Sequence, residues 1–158
     1  MHENQVNLNV PLKPMSQRAH RALAVQILYA IDRSNDALDE FDSTNFINRF
    51  IANYNIAVEP DCFALQLVEN VHKNINFLES KIDKQSKNWC PERIGCLTKI
   101  IIKIAMTEII YNISPAKIAI DEAIELAKDF CEQDAYKFVN GILDNFFKQH
   151  SAQMAQSK

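Results

Sequence analysis

Lys13, Arg18, His20 and Arg21 lie within nine residues, and no acid stands among them. Tyr29 follows at a distance that keeps it on the same expected helix as the arginines, and near the other end of the chain Tyr136, Lys137 and Phe138 are consecutive. Cations hold phosphates and rings stack on unpaired bases, which is how single-stranded nucleic acid is gripped. The N-terminus of a helix beginning near residue 135 would also favour phosphate through its free N–H groups. The same residues fit a plain solvated face, and Tyr29 and Phe138 fit apolar stripes, so both readings stay open at this point. The formal net charge is −3, so any contact with a polyanion must be local.

Other chemistries find less support. With two glycines in the chain there is no phosphate-cradling loop. Asp121 and Glu122 are adjacent, so on a helix they point about 100° apart and cannot pair across a substrate. Cysteines 62, 90, 96 and 131 and histidines 2, 20, 72 and 150 lack the paired spacing of a zinc site. The expectation is reduced, mostly buried thiols, no catalytic residues, no metal and no cofactor. No run of 18 apolar residues occurs and the N-terminus lacks the pattern of a signal peptide, so a cytoplasmic protein without membrane contact is expected.

The elements that must position these residues are helices. Scarce Gly and Pro argue against a turn-rich β fold. Residues 1–15 read as a flexible tail and 149–158 as a second one that frays, with one domain over 16–148. Ser16 can cap a first helix whose Leu23, Ile27, Ala30 and Ile31 share a face. A short amphipathic helix follows with Ser43 or Thr44 as cap. Pro60 can open a long helix marked from Ala64 to Ile82. Residues 97–113 form the most apolar segment, a central helix whose Lys99, Lys103 and Thr107 make one polar stripe. Two more helices carry Ile120 to Ala127 and Phe138 to Phe147, the last capped by Asp134. That is six or seven helices and an all-α fold.

"AIDEAIELAKDFCEQDAYKFVNGILD", residues 119–144, closely resembles the signature of the NusB family of bacterial transcription antitermination factors. That signature reads like A-I-N-E-A-I-E-L-A-K, a short acidic link, then K-F-V-N-G-V-L-D. "NWCPERIG" followed by "IIIKIAMTEI", and "RALAVQILY", are similar to two further family stretches in the same order. The resemblance covers roughly residues 16–147. It implies two small three-helix bundles packed side by side with an extra helix, and no enzymatic activity. It also implies binding of boxA single-stranded RNA together with NusE, a small-subunit ribosomal protein, within the RNA polymerase antitermination complex on rRNA operons.

Carried over by position, Arg18 and Arg21 match the arginines that hold RNA phosphates, with His20 between them and Lys13 just before. Tyr29 matches a tyrosine near the RNA and partner surface. Lys137 and Phe138 match a K-F pair near RNA, and Asp134 the acidic residue before it that influences partner association. Thr98 stands where an acid is common near the partner face. Ala22 replaces a glutamate, which predicts loss of an internal ion pair to Arg21. Cys131 replaces a glycine that usually ends the penultimate helix. Two other readings fit the residues: an rRNA-recognition module assisting rRNA modification, and a self-associating helical scaffold, a homodimer that binds no RNA.

Overall fold

A computed structural model describes residues 15–34, 43–86 and 94–157. Lys13 therefore lies outside the described residues, as does nearly all of the expected N-terminal tail. Seven helices are present among the described residues: α1 (Gln17–Arg33), α2 (Ser43–Asn53), α3 (Phe63–Lys73), α4 (Ile75–Gln85), α5 (Cys96–Ile110), α6 (Ala116–Phe130) and α7 (Ala135–Gln156). None is long and apolar enough to cross a membrane.

α5 is the axis of the fold. It packs against α1 and α3 on one side and α6 and α7 on the other, and α4 bridges α5 and α7. The result is an N-terminal bundle of α1–α3 beside a C-terminal bundle of α5–α7, with α4 as the extra helix. Every residue from Ile100 to Ile109 is buried. A helix walled in on all sides is apolar wherever no partner satisfies a polar group, which explains its run of isoleucines.

Of the polar stripe on α5, Lys99 is half-buried while Lys103 and Thr107 are covered. Lys103 is 8% exposed and donates from Nζ to Glu79 on α4 at 3.2 Å. Thr107 donates from Oγ1 to the Lys103 carbonyl at 2.8 Å. Burial of these groups is tolerated because each has a partner.

The first helix starts as expected: the Ser16 hydroxyl accepts from the Ala19 N–H at 3.1 Å. Three other boundaries differ from expectation. Pro60 sits in a turn closed by the Cys62 N–H donating to the Glu59 carbonyl at 3.1 Å, and helix begins only at Phe63. The long helix expected through Ala64–Ile82 is two helices broken at Asn74, whose Nδ2 donates to the Asn70 carbonyl at 2.7 Å and to the Tyr111 hydroxyl at 2.8 Å. An asparagine so engaged offers the backbone an alternative to continuing the helix. At the C-terminus, α7 runs to Gln156 past the boundary at residue 149, although residues 151–157 are all exposed. α6 ends at Cys131 in extended backbone, φ −109°, a conformation that any residue adopts and that needs no glycine.

Candidate nucleic-acid interface

α1 carries its functional side chains at two ends, with Tyr29 about two turns beyond Arg21 and about three beyond Arg18 along the axis. At the N-terminal end stand Arg18, His20 and Arg21, and the structure gives them three different roles. Arg18 lies on the surface, its side chain 63% exposed. Its Nε donates to Glu122 Oε2 at 2.9 Å and its Nη2 to Glu122 Oε1 at 3.0 Å, so one edge of the guanidinium clasps α6. The hydrogen bonds from Arg18 hold the Glu122 carboxyl below its ordinary value of 4.5, against the upward push of its partial burial. The Glu122 carboxylate in turn raises the Arg18 guanidinium, with Glu125 and Asp129 adding to the effect.

Arg21 is a correction to the expected phosphate anchor. It is 2% exposed. The guanidinium is bound to Glu108 near the end of α5, its Nη2 donates to Ser114 Oγ at 3.3 Å, and its Cζ lies 5.2 Å from the centre of the Phe63 ring. Glu108 therefore supplies the internal ion pair expected to be missing because of Ala22. A guanidinium sealed in this way has no edge to offer RNA.

His20 also turns inward. Its Nδ1 accepts from the Ala64 N–H at 3.4 Å, and its ring meets Phe63 edge-on at 6.2 Å. Cys62, the cap position of α3, makes no side-chain cap bond. His20 thus caps α3 from a neighbouring helix, satisfying a donor that would otherwise be free.

At the other end of α1, Tyr29 is 36% exposed and stacks beneath Arg33, whose Cζ is 5.3 Å from its ring centre. Both line a cavity of about 730 Å³, a size that suits a ligand or a partner's side chains. Its walls are the C-terminal end of α1, the start of α5 and the α6–α7 connection. Thr98 and Asp134 line it as well, so with Tyr29 all three residues expected to contact a partner converge here, joined by Phe138 of the expected RNA set.

Two of these residues need correcting. Phe138 is only 8% exposed and belongs to the hydrophobic core, so its ring is a wall of the cavity and not a stacking platform. Asp134 makes no side-chain cap bond to α7. Its backbone is left-handed, φ 75°, and its carboxylate instead meets Lys137 Nζ at 3.5 Å. Thr98 is buried at 6%, beside Cys131.

Thiols line the same cavity. Burial, with a hydrogen bond donated by Sγ to Asp32 Oδ2 at 3.0 Å, pushes the Cys96 thiol up to about 11. Burial likewise raises Cys131, partly offset by its hydrogen bond with Thr98. Cys62, Cys96 and Cys131 are free and half-buried, more open than expected; Cys90 lies outside the described residues. Among the described residues no group of three or more His, Cys, Asp and Glu side chains could hold a metal ion.

The last turns of α6 and the first of α7 carry further exposed cations. Lys128 Nζ lies 5.2 Å and Lys137 Nζ 6.0 Å from the centre of the Tyr136 ring. The motif reading found Lys137 but not Lys128 or Arg33. Arg33 was within reach, being four residues after Tyr29 on one helix face. Lys128 and Tyr136 meet only because α6 folds back on α7. Arg18, Lys128 and Lys137 are each matched by a carboxylate: Arg18 by Glu122, Lys128 by Glu125 at 3.4 Å, and Lys137 by Asp134.

Comparison with known proteins agrees with the motif pattern. A family model described as the NusB family matches residues 18–148. The transcription antitermination protein NusB of Macrococcus caseolyticus is 35% identical over 137 residues, 85% of this chain and 98% of that protein. Its namesake from Nitratidesulfovibrio vulgaris is 37% identical over 131 residues, 82% and 86% of the two chains. Among solved structures, antitermination factors NusB and NusE in complex with dsRNA include a chain similar to this one with TM-score 0.68 and 22% identity, covering 84% of this chain and 96% of that one. T. maritima NusB is similar with TM-score 0.68 at 22% identity over 86% of this chain and 92% of its own. At these identities the structures speak for the fold, while the family model and the relatives establish descent: the chain belongs to the NusB family.

Proposed function

We propose that this protein is a transcription antitermination factor that binds boxA single-stranded RNA together with NusE, in the cytoplasm, as part of the RNA polymerase antitermination complex on rRNA operons. It acts by binding and not by catalysis. The observation that carries this reading is the convergence of Tyr29, Thr98 and Asp134 on one cavity beside an edge of exposed cations. Such an arrangement separates a protein-docking pocket from a phosphate-contacting edge while keeping them adjacent. Arg18, Lys128 and Lys137 are the cations of that edge, with Tyr136 between the two lysines as its ring. Lys13, a few residues before Arg18, adds charge from the N-terminal segment.

The relatives carry the name transcription antitermination protein, and one structural neighbour is an assembly of NusB and NusE with dsRNA, which supports NusE and an RNA as the kinds of partner. The test is a titration of the protein with boxA RNA, with and without NusE, at two salt concentrations. The expected result is binding that tightens with NusE and weakens with salt, since each phosphate contact releases counterions. A protein that ignores both partners and sediments as a homodimer overturns the proposal in favour of a self-associating scaffold.

A further inference from the structure

The exposed cations of the proposed RNA edge are already neutralised by the protein itself, and Arg18 most completely. Both Glu122 oxygens are bonded, one to Nε and one to Nη2, at 2.9 and 3.0 Å. This is the parallel two-bond fork with which a guanidinium also holds a phosphate, so carboxylate and phosphate compete for one edge. Glu122 belongs to α6, 104 residues further along the chain, and its side chain is only 20% exposed, so packing holds it in place while Arg18 stays accessible. Glu125 and Asp129 lie close enough on the same helix for their charge to reach Arg18.

We propose that Glu122 is an internal phosphate mimic: it occupies the Nε–Nη2 edge of Arg18 in the free protein, and RNA gains that edge only by displacing it. The inference rests on the reading of this chain as a boxA RNA-binding protein. A carboxylate left beside a bound phosphate would set two negative charges on one cation, so the exchange costs the protein its contact between α1 and α6. The consequence is a threshold. Weak, non-specific polyanions cannot open the clasp, whereas an RNA fixed at several other points, with NusE in place, can. Lys128 with Glu125 and Lys137 with Asp134 repeat the arrangement with single, longer contacts of 3.4 and 3.5 Å.

The test is RNA binding by Glu122→Gln over a range of salt, beside Arg18→Ala, the double variant, and Asp121→Asn as a control of equal charge change, Asp121 being an exposed carboxylate of α6 outside the three pairs of the edge. Because an exposed ion pair is a modest competitor, Glu122→Gln is expected to tighten boxA RNA binding about two- to five-fold. The salt dependence should steepen by about one phosphate contact or less. The gain should vanish in the Arg18→Ala background, and Asp121→Asn should give less. Unchanged or weaker binding by Glu122→Gln, or an equal gain with Asp121→Asn, overturns the mimic while leaving RNA binding standing. Absence of boxA binding by the wild type and every variant overturns both.

Discussion

Arg21 Nη2 on α1 lies 2.7 Å from Glu108 Oε1 on α5, with the two side chains 3% and 1% exposed. Arg21 Nε approaches both Glu108 oxygens at 3.1 Å, and the Ser114 hydroxyl donates to Oε1 at 3.0 Å. This is a fully satisfied buried charge pair that locks the N-terminal bundle to the central helix. Removing one member leaves the other charged without a partner in a dry site, which costs about 3–5 kcal/mol. Arg21→Ala and Glu108→Ala should each lower the melting temperature by about 10 °C or more. A combined Arg21→Met and Glu108→Leu variant should recover much of the loss, since a well-packed apolar pair removes both charges together. Below its melting temperature, Arg21→Ala should show the salt slope of the wild type in RNA titrations, because Arg21 touches no phosphate. A flattened slope would return it to the RNA surface.

His20 is expected to matter through α3. Its Nδ1 accepts from a backbone N–H in the first turn of that helix, where Cys62 offers no side-chain cap. His20→Ala should destabilise the protein by about 0.5–1 kcal/mol, the lower range for a lost cap because the bond is long. Chemical denaturation measures this directly. The loss should be largely repaired by Cys62→Ser in the His20→Ala background, since serine caps from the ordinary position. No repair would mean that His20 stabilises by packing on Phe63 and not by capping.

What the sequence could and could not foretell follows from the separation of the partners. Ser16 and Ala19 are three residues apart, so the start of α1 was legible. The apolar periods of α6 and α7 were legible for the same reason, and so was the all-helical architecture. Arg21 and Glu108 are 87 residues apart, and Asn74 and Tyr111 are 37 apart. Nothing local distinguishes an arginine facing water from one facing a carboxylate on another helix, so Arg18 and Arg21 read alike although one is exposed and the other sealed. The family pattern located the cavity residues Tyr29, Thr98 and Asp134, but not that Phe138 is spent on the core.

Lys137 and Phe138 should separate cleanly. Lys137 is exposed and lies against Tyr136, so Lys137→Ala should weaken RNA binding and flatten its salt slope by about one unit or less, with stability unchanged. Phe138 is a core residue, so Phe138→Ala should cost about 3–5 kcal/mol of stability. Calorimetry and RNA titration on the two variants check both halves. Equal destabilisation by both, or an RNA defect in a fully stable Phe138→Ala, would contradict the placement.

Cys96 should be a slow nucleophile. Its thiol is pushed to about 11 from an ordinary 9.0, first by burial and then by the Asp32 carboxylate. At pH 8 that leaves about a hundredth of the thiolate of an unperturbed cysteine, and thiolate is the reactive form. Alkylation by iodoacetamide, followed by peptide mapping, should therefore label Cys96 slowly, with a rate still rising past pH 9. Asp32→Asn should accelerate it several-fold, but not to the rate of an exposed thiol, since burial remains. Because the folded value is raised, the protonated thiol's contribution to stability is complete below pH 9 and is lost as pH rises through about 11. Rapid labelling at pH 7 in the wild type would show that Asp32 does not hold the thiol.

Asp134 joins the cavity to the cation edge, and its backbone and its carboxylate can be tested apart. Its left-handed conformation, φ 75°, is one that Asp, Asn and Gly adopt far more readily than branched residues. Asp134→Asn should leave the melting temperature nearly unchanged, while Asp134→Val should destabilise by about 1–2 kcal/mol because a β-branched side chain collides with its own backbone there. The carboxylate is 3.5 Å from Lys137 Nζ, and both side chains are well exposed. Neutralising it releases that lysine and removes a negative charge beside the proposed phosphate path. Asp134→Asn should therefore tighten boxA RNA binding by about twofold, the small effect proper to an exposed pair. It should do so at unchanged stability, and Lys137→Ala should abolish the gain. A loss of RNA affinity in Asp134→Asn would instead mean that the carboxylate holds Lys137 in its binding position.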